Sequence, residues 1–165
     1  MMQSSARTLP SSRRPSAASK GPGPAAQRSY RRYLLAWLGL ALLGPLNGIA
    51  RELLYREPLG ESASHQVSSL TAIALFAIYT FLIERPWPLP NRRVAVGVGA
   101  IWLVLTIAFE FSFGRFVDGK GWDELFADYN LVRGRLWPLV LLWLAISPEI
   151  VRALLASRTS NTTSG

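Results

Sequence analysis

The sequence has no cysteine and a single histidine, His65. Without cysteine the chain can form no disulfide, thiolate metal site, iron–sulfur cluster or cysteine nucleophile. One histidine also excludes a haem held by two histidines of this chain. Motifs for a P-loop, a dinucleotide site, a HExxH zinc site or an EF-hand loop are missing as well. The sequence therefore predicts no catalytic residue, no metal site and no cofactor.

Charge is scarce: 17% of the residues are charged, 50% are hydrophobic, and the mean hydropathy is +0.21. The apolar residues are concentrated in four blocks, each near the roughly 17–25 residues that a helix needs to cross a bilayer core. A soluble protein would have to bury four helices that are apolar nearly all round, and we favour that interpretation less. We therefore predict an all-α fold, a polytopic membrane four-helix bundle. The predicted spans are about 33–54, 67–84, 94–114 and 136–156.

The two ends of the chain differ from this hydrophobic part. Residues 1–30 contain no acidic residue and almost nothing to bury, which predicts a disordered basic arm. An organellar transit peptide, rich in Arg and Ser, is the alternative for this segment. Residues 158–165 are predicted to be a flexible tail, so that 31–157 form the transmembrane domain.

The basic residues lie mainly on one side of the predicted bundle. Of the 18 Lys and Arg residues, twelve fall in the N-terminal arm, the loop between the second and third spans, and the C-terminal end. The positive-inside rule then places both termini in the cytoplasm. The net charge of +8 is thus explained by the positive-inside pattern of a membrane protein. We therefore do not expect nucleic acid as a partner. Near the C-terminal end, Glu149 and Arg152 are spaced for an ion pair on one helix.

The second outer loop contains a short amphipathic pattern. Trp122, Leu125, Phe126 and Tyr129 recur at helical spacing, and acidic residues lie off that stripe. The pattern predicts an interfacial helix that lies on the outer membrane surface or over the mouth of the bundle. Packing against a partner protein is the alternative, and it makes Trp122, Phe126 and Tyr129 a possible interface.

Small residues form stripes along two of the predicted spans. Gly44 and Gly48 in the first span, and Gly99 in the third, are predicted to allow close helix packing. Both stripes lead to charge at the outer end, at Arg51 and Glu110 respectively.

Glu110 interrupts the apolar run LTIAFEFSFGRF. An isolated carboxylate in the bilayer is costly, and a guanidinium can offset that cost through paired hydrogen bonds. Arg51 lies at a similar depth and is the first predicted partner of Glu110; Arg133 or Arg135 is the second choice. The predicted structural polar cluster within the membrane consists of Arg51, Glu52, Glu110, Arg133 and Arg135.

Two functional alternatives involve these polar residues. Glu110 could bind or relay a cation or a proton. We favour a structural role, because Glu110 lies near the outer edge and the inner half shows no matching ladder of ionisable groups. His65 is a possible ligand residue, although a lone histidine at a helix entry is more often a capping residue.

Large aromatic residues are predicted to be in excess of what the bundle interior can hold. Trp102, Phe109 and Trp143 are expected to face lipid or another protein. This excess predicts a protein partner or a homo-oligomer within the membrane.

Three stretches, LNGIARE, SHQVSSLT and FEFSFGRFVDGKGWDELFADYNLVRGRLWPLVLL, resemble small bacterial four-helix integral membrane proteins with no established activity. The resemblance covers roughly residues 34–147. It implies the four-span topology and the bacterial inner (cytoplasmic) membrane, and it implies no catalytic function.

The function expected from the sequence is that of an accessory or structural subunit of a larger membrane complex. A small permease, or a proton or cation pathway centred on Glu110, is the alternative. A lipid-modifying enzyme that uses the outer polar cluster is the weakest of the three hypotheses.

Overall fold

The computed structural model describes residues 23–127, 129–131 and 135–162, and this part of the chain is helical, without a strand. The prediction of an all-α fold is confirmed for these residues. The helices are α1 (Pro24–Ala50), a π-helical turn (Arg51–Tyr55), α2 (Arg56–Glu84), α3 (Arg92–Phe116), α4 (Trp122–Ala127) and α5 (Trp137–Thr162).

Three helical stretches are long and apolar enough to cross a membrane: Pro24–Glu84, Arg92–Phe116 and Trp137–Arg158. Their outward surfaces carry large apolar side chains, and Leu42 and Val104 are each 65% exposed. A soluble monomer rarely exposes apolar surface on this scale. The fold is therefore that of an integral membrane protein.

The first stretch reverses its direction. The backbone leaves helical geometry at Tyr55 (φ −142°, ψ 1°) and at Gly60 (φ 75°, ψ 170°). The amide of Asn47 in α1 then donates to the carbonyl of Ser68 in α2 at 2.9 Å. Further along, the Tyr79 hydroxyl donates to the carbonyl of Ala36 at 2.7 Å. The residues of α1 nearest the turn bond to those of α2 nearest the turn, and residues further from the turn bond to each other. α1 and α2 therefore form an antiparallel hairpin.

α3 runs parallel to α1. The indole of Trp102 donates to the carbonyl of Tyr33 at 2.8 Å, and the indole of Trp37 donates to the hydroxyl of Thr106 at 3.1 Å. The two bonded residues of α1 are four positions apart, and so are their partners in α3, in the same order along the chain. The two helices therefore run in the same direction.

α5 packs against α2 and α3 and runs antiparallel to α3. Gly99 in α3 lies against the backbone of Ala145, and Glu110 further along α3 is bonded to Trp137 at the start of α5. The four long helices therefore alternate in direction. We call the two ends of the molecule the Glu110 end and the Glu149 end.

The core is aromatic and aliphatic. Its fully buried members include Trp102, Tyr33, Val98 and Leu144. The expectation that Trp102 faces lipid or a partner is wrong: its side chain is 0% exposed, because its N–H finds the Tyr33 carbonyl as a buried acceptor.

Two other aromatic residues in that expectation, Phe109 and Trp143, are half-buried rather than outward-facing. Phe109 packs edge-on against Trp37. The helices thus hold more aromatic volume inside than the sequence suggested.

The helices extend further than predicted at both ends of the chain. α1 begins at Pro24, inside the segment 1–30 that was expected to be disordered, and proline suits the first position of a helix. Residues 1–22 lie outside the described residues. α5 continues to Thr162, past residue 158 where the tail was expected to start.

α4 has six residues and is shorter than the predicted amphipathic helix. Leu125 is buried and packs against Gly114 of α3. The rings of Trp122, Phe126 and Tyr129 surround Phe111 at centroid distances of 6.3, 5.4 and 5.6 Å. The aromatic stripe therefore attaches α4 to the end of α3, and a location at the membrane surface stays a prediction.

Candidate functional site: a polar cavity at the Glu110 end

A cavity of about 700 Å³ opens at the Glu110 end, bordered by α1, α2, α3 and the segment that leads into α5. Small-molecule sites typically have volumes of about 300–1,000 Å³. Its charged and titratable lining residues are Arg51, Glu52, His65, Glu110, Asp118, Lys120, Tyr129 and Arg135. The rim of the cavity thus carries charges of both signs.

The floor of the cavity is apolar. Trp37, Leu40, Phe76 and Phe109 line it, and Leu40 and Phe76 belong to the packed core. The polar part of a bound molecule would therefore meet the rim, and its apolar part would meet the floor.

Gly44 and Gly48 form part of the cavity wall. No atom lies within 4 Å of the position that a Cβ would occupy at either residue, so they border open space rather than a neighbouring helix. Their predicted packing role is not what the structure shows. Gly99 does allow close packing, because a Cβ there would collide with the carbonyl of Ala145.

Arg51 is held on the rim by two neighbouring groups. Its guanidinium donates to Oε1 of Glu52 at 3.1 and 2.7 Å, and to Nδ1 of His65 at 2.9 Å. Because a guanidinium only donates, Nδ1 of His65 must accept, which places the imidazole proton on Nε2. His65 lines the cavity, a little more than one turn after Gly60, where the regular part of α2 begins.

Glu110 faces the same cavity and is bonded to aromatic donors. Its Oε2 accepts from the Tyr129 hydroxyl at 2.9 Å and from the Trp137 indole at 2.8 Å. A carboxylate in this apolar run thus joins α3 to the segment before α5 and to α5 itself. Arg51 and Glu110 line one cavity with different partners, and electrostatic coupling between them stays a prediction.

The remaining members of the predicted cluster lie at the same end. Glu52 also forms an ion pair with Arg56. Arg135 forms an ion pair with Glu61 of α2 at 3.3 Å. Arg133 lies outside the described residues.

Asn47 closes the wall between α1 and α2. Its Nδ2 donates to the carbonyl and to the hydroxyl of Ser68, at 2.9 and 2.8 Å. The sequence contained a signal for this contact, namely an asparagine inside an apolar span. A buried amide requires hydrogen-bond partners, which here lie on the neighbouring helix.

The opposite end contains a residue that the sequence reasoning missed. Glu84 is 0% exposed, although no buried ionisable residue was predicted in this half of the molecule. The second predicted span, 67–84, ends at this residue. However, the spacing of Ala72, Phe76, Thr80 and Glu84 places them on one face of α2, and all four are buried.

The predicted pair of Glu149 and Arg152 is confirmed. Arg152 Nε donates to Glu149 Oε2 at 2.6 Å, and its NH2 donates to Oε1 at 2.8 Å. Arg92 of α3 lies 3.9 Å from the same carboxylate.

These features define an all-helical membrane protein with an amphipathic cavity at one end. Among the described residues, no group of three or more His, Cys, Asp or Glu is arranged to hold a metal ion. No protein family, curated protein or solved structure matches this chain. Its class therefore rests on the fold and the cavity alone.

Proposed function

We propose that this chain is a four-span membrane protein, a four-helix bundle with both termini in the cytoplasm, that binds a small amphipathic molecule in the cavity at its outer end. The hairpin of α1 and α2 supports two crossings by the first apolar stretch. The excess of Lys and Arg at the Glu149 end supports the orientation.

The observation that carries the proposal is the two-part lining of the cavity. Trp37 and Phe109 offer an apolar floor, while Arg51 and Glu110 offer charges of opposite sign at the rim. A molecule with a zwitterionic or neutral polar head and an apolar body matches both parts. Binding of this kind is the first step of the permease function that the sequence suggested as an alternative.

A short-chain bromoalkyl phosphocholine tests the binding, since bromine quenches indole fluorescence and Trp37 and Trp137 line the cavity. In lipid nanodiscs we expect a saturable component of quenching above the linear component that comes from partitioning into lipid. Gly48→Leu should remove the saturable component by filling the cavity. Ala108→Leu, on the exposed face of α3, is the matched control and should keep it. Linear quenching in all three proteins would contradict the proposal.

The accessory-subunit hypothesis has separate support from the Glu110 end. Phe116, Trp122 and Phe126 are 85%, 56% and 60% exposed there, next to the charged loop. Such a surface suits a protein partner or a second copy of the chain. Extraction in mild detergent, followed by light scattering with the detergent mass subtracted, tests this hypothesis. A single 18.2 kDa protomer without a stoichiometric companion would contradict it.

A further inference from the structure

Glu84 is a buried carboxyl group at the end of the molecule opposite the cavity. Its side chain is fully buried, and within the described part of the chain neither Oε1 nor Oε2 has a hydrogen-bond partner. An ionised carboxylate in this environment would lose its hydration without any compensating bond. The group must therefore be neutral, or a bound cation must neutralise it.

The donors around Glu84 are engaged elsewhere. On α1, the Tyr33 hydroxyl donates to the carbonyl of Trp87 at 2.9 Å. One turn before Glu84 on α2, the Thr80 hydroxyl donates to the carbonyl of Phe76 at 2.7 Å. Neither of these two hydroxyls is thus left to donate to the carboxyl oxygens, in keeping with the lack of a bond to them within the described residues.

The charged groups near Glu84 on α5 and α3 also have partners. Arg152 interacts electrostatically with Glu84, but both of its hydrogen bonds go to Glu149. Glu149 itself is an anion that disfavours a second negative charge nearby, and Arg92 of α3 lies against Glu149. The pair of Glu149 and Arg152 therefore supplies Glu84 with little net positive charge.

We propose that Glu84 is a proton-binding site: its carboxyl group carries a proton in the folded protein at neutral pH and exchanges it with the Glu149 end. Along α2 the nearest cavity-lining residue is Phe76, two turns before Glu84, and the buried Thr80 lies between them. Thr80 and Ser147, whose hydroxyl oxygens are 3.4 Å apart, lie on the cavity side of Glu84 without reaching the cavity. The short route to water is past Glu149 and Arg152. The site is independent of the ligand proposed for the cavity.

Infrared spectroscopy of the full chain in nanodiscs of ether-linked lipids tests the proposal, because the C=O stretch of a carboxylic acid is separate from the carboxylate bands and these lipids lack the ester C=O that would overlap it. At neutral pH, in potassium buffer without sodium, we expect a carboxylic acid band that Glu84→Gln removes. Glu57→Gln, at an exposed position of α2, is the control and should leave the band unchanged. A band that survives in Glu84→Gln, or a spectrum without one, would overturn the proposal. A Glu84-dependent carboxylate band that responds to added sodium would overturn it in favour of a bound cation.

The pH dependence of thermal unfolding is a second readout. A group that is neutral when folded and ionised when unfolded lowers stability as the pH rises above about 4.3, the usual value for an exposed Glu. The midpoint of the parent protein should therefore fall between mildly acidic and mildly alkaline pH, and that of Glu84→Gln should fall less. Should Glu84→Gln not fold, Glu84→Met replaces it as a neutral side chain of similar size. A midpoint with the same pH dependence in parent and variant would contradict proton binding at Glu84.

Discussion

Glu110 and Glu84 are two carboxyl groups in apolar helices, and their surroundings differ. Glu110 lies on the wall of a cavity and accepts bonds from Tyr129 and Trp137. Glu84 lies in the core, and neither of its oxygens has a hydrogen-bond partner within the described part of the chain. The first is suited to joining helices and meeting a ligand, and the second to holding a proton.

Removal of the Glu110 carboxylate should destabilise the fold through the donors that it leaves behind. Glu110→Ala leaves the Tyr129 hydroxyl and the Trp137 N–H without this acceptor, at a cost of about 1–3 kcal/mol. Glu110→Gln keeps an oxygen acceptor and should cost less. Unfolding in mild detergent, followed by circular dichroism, measures both variants. If Glu110→Ala were as stable as the parent, these bonds would not contribute to stability.

Trp102 should be among the residues most sensitive to substitution. Trp102→Phe removes the bond to the Tyr33 carbonyl and leaves a cavity in a fully buried region, so we expect a loss of about 2–4 kcal/mol. Trp122→Phe makes the same change at a side chain that is 56% exposed and should stay within about 0.5 kcal/mol of the parent. Equal effects at both positions would mean that Trp102 is not in the core.

At the scale of the helices, close approaches and open spaces lie in different places. α3 and α5 meet at Gly99, whereas α1 and α2 meet through Asn47 and leave Gly44 and Gly48 facing the cavity. Gly44 and Gly48 lie on successive turns of α1 and have no side chain. The space that two side chains would fill is therefore part of the cavity.

Two alanine substitutions separate these roles. Gly99→Ala forces a Cβ into the carbonyl of Ala145 and should destabilise the protein by about 1–3 kcal/mol. Gly44→Ala meets no atom and should be neutral or stabilising by up to about 1 kcal/mol, since alanine favours a helix. Denaturant titration in the same micelle compares them. The reverse order would place the helix contact at Gly44.

The turn between α1 and α2 depends on Gly60. Its φ of 75° and ψ of 170° fall in a region that is almost restricted to glycine, so Gly60→Ala should cost about 1–3 kcal/mol. Gly121→Ala, at a glycine without positive φ and with open space around it, is the control. Thermal unfolding distinguishes the two, and equal midpoints would show that the turn tolerates a side chain.

The sequence predicted the helices better than their contacts. Hydropathy identified the apolar segments, because a bilayer span requires a minimum length of apolar residues. The helical structure of REPLGESASHQ, the first part of α2, was not foreseen. This stretch is polar and contains both proline and glycine, which is typical of a loop. Glu110 and Arg51 were predicted to be partners. The bonds that the structure shows, from Glu110 to Trp137 and from Arg51 to His65, depend on helix rotation, which residue spacing alone does not fix.

At the scale of the whole molecule, the two ends have different properties. The Glu110 end is open, with a cavity and charged rim, and the Glu149 end is closed around Glu84 by the core and the pair of Glu149 and Arg152. A cavity that is open at one end of a bundle and closed at the other is the arrangement expected of a binding protein or of one state of a permease. A proton at Glu84 would reside on the closed side.

The central claim is that the cavity opens to water on the outer side of the membrane. Because the chain has no cysteine, single cysteines can be introduced and labelled with a membrane-impermeant maleimide in intact cells. We expect Gly48→Cys to be labelled from outside, Ala108→Cys on the exposed face of α3 to stay unlabelled, and Arg158→Cys to react only after lysis. Gly48→Cys that stays unlabelled in intact cells, or that reacts only when the cytoplasmic side is exposed, would contradict the account.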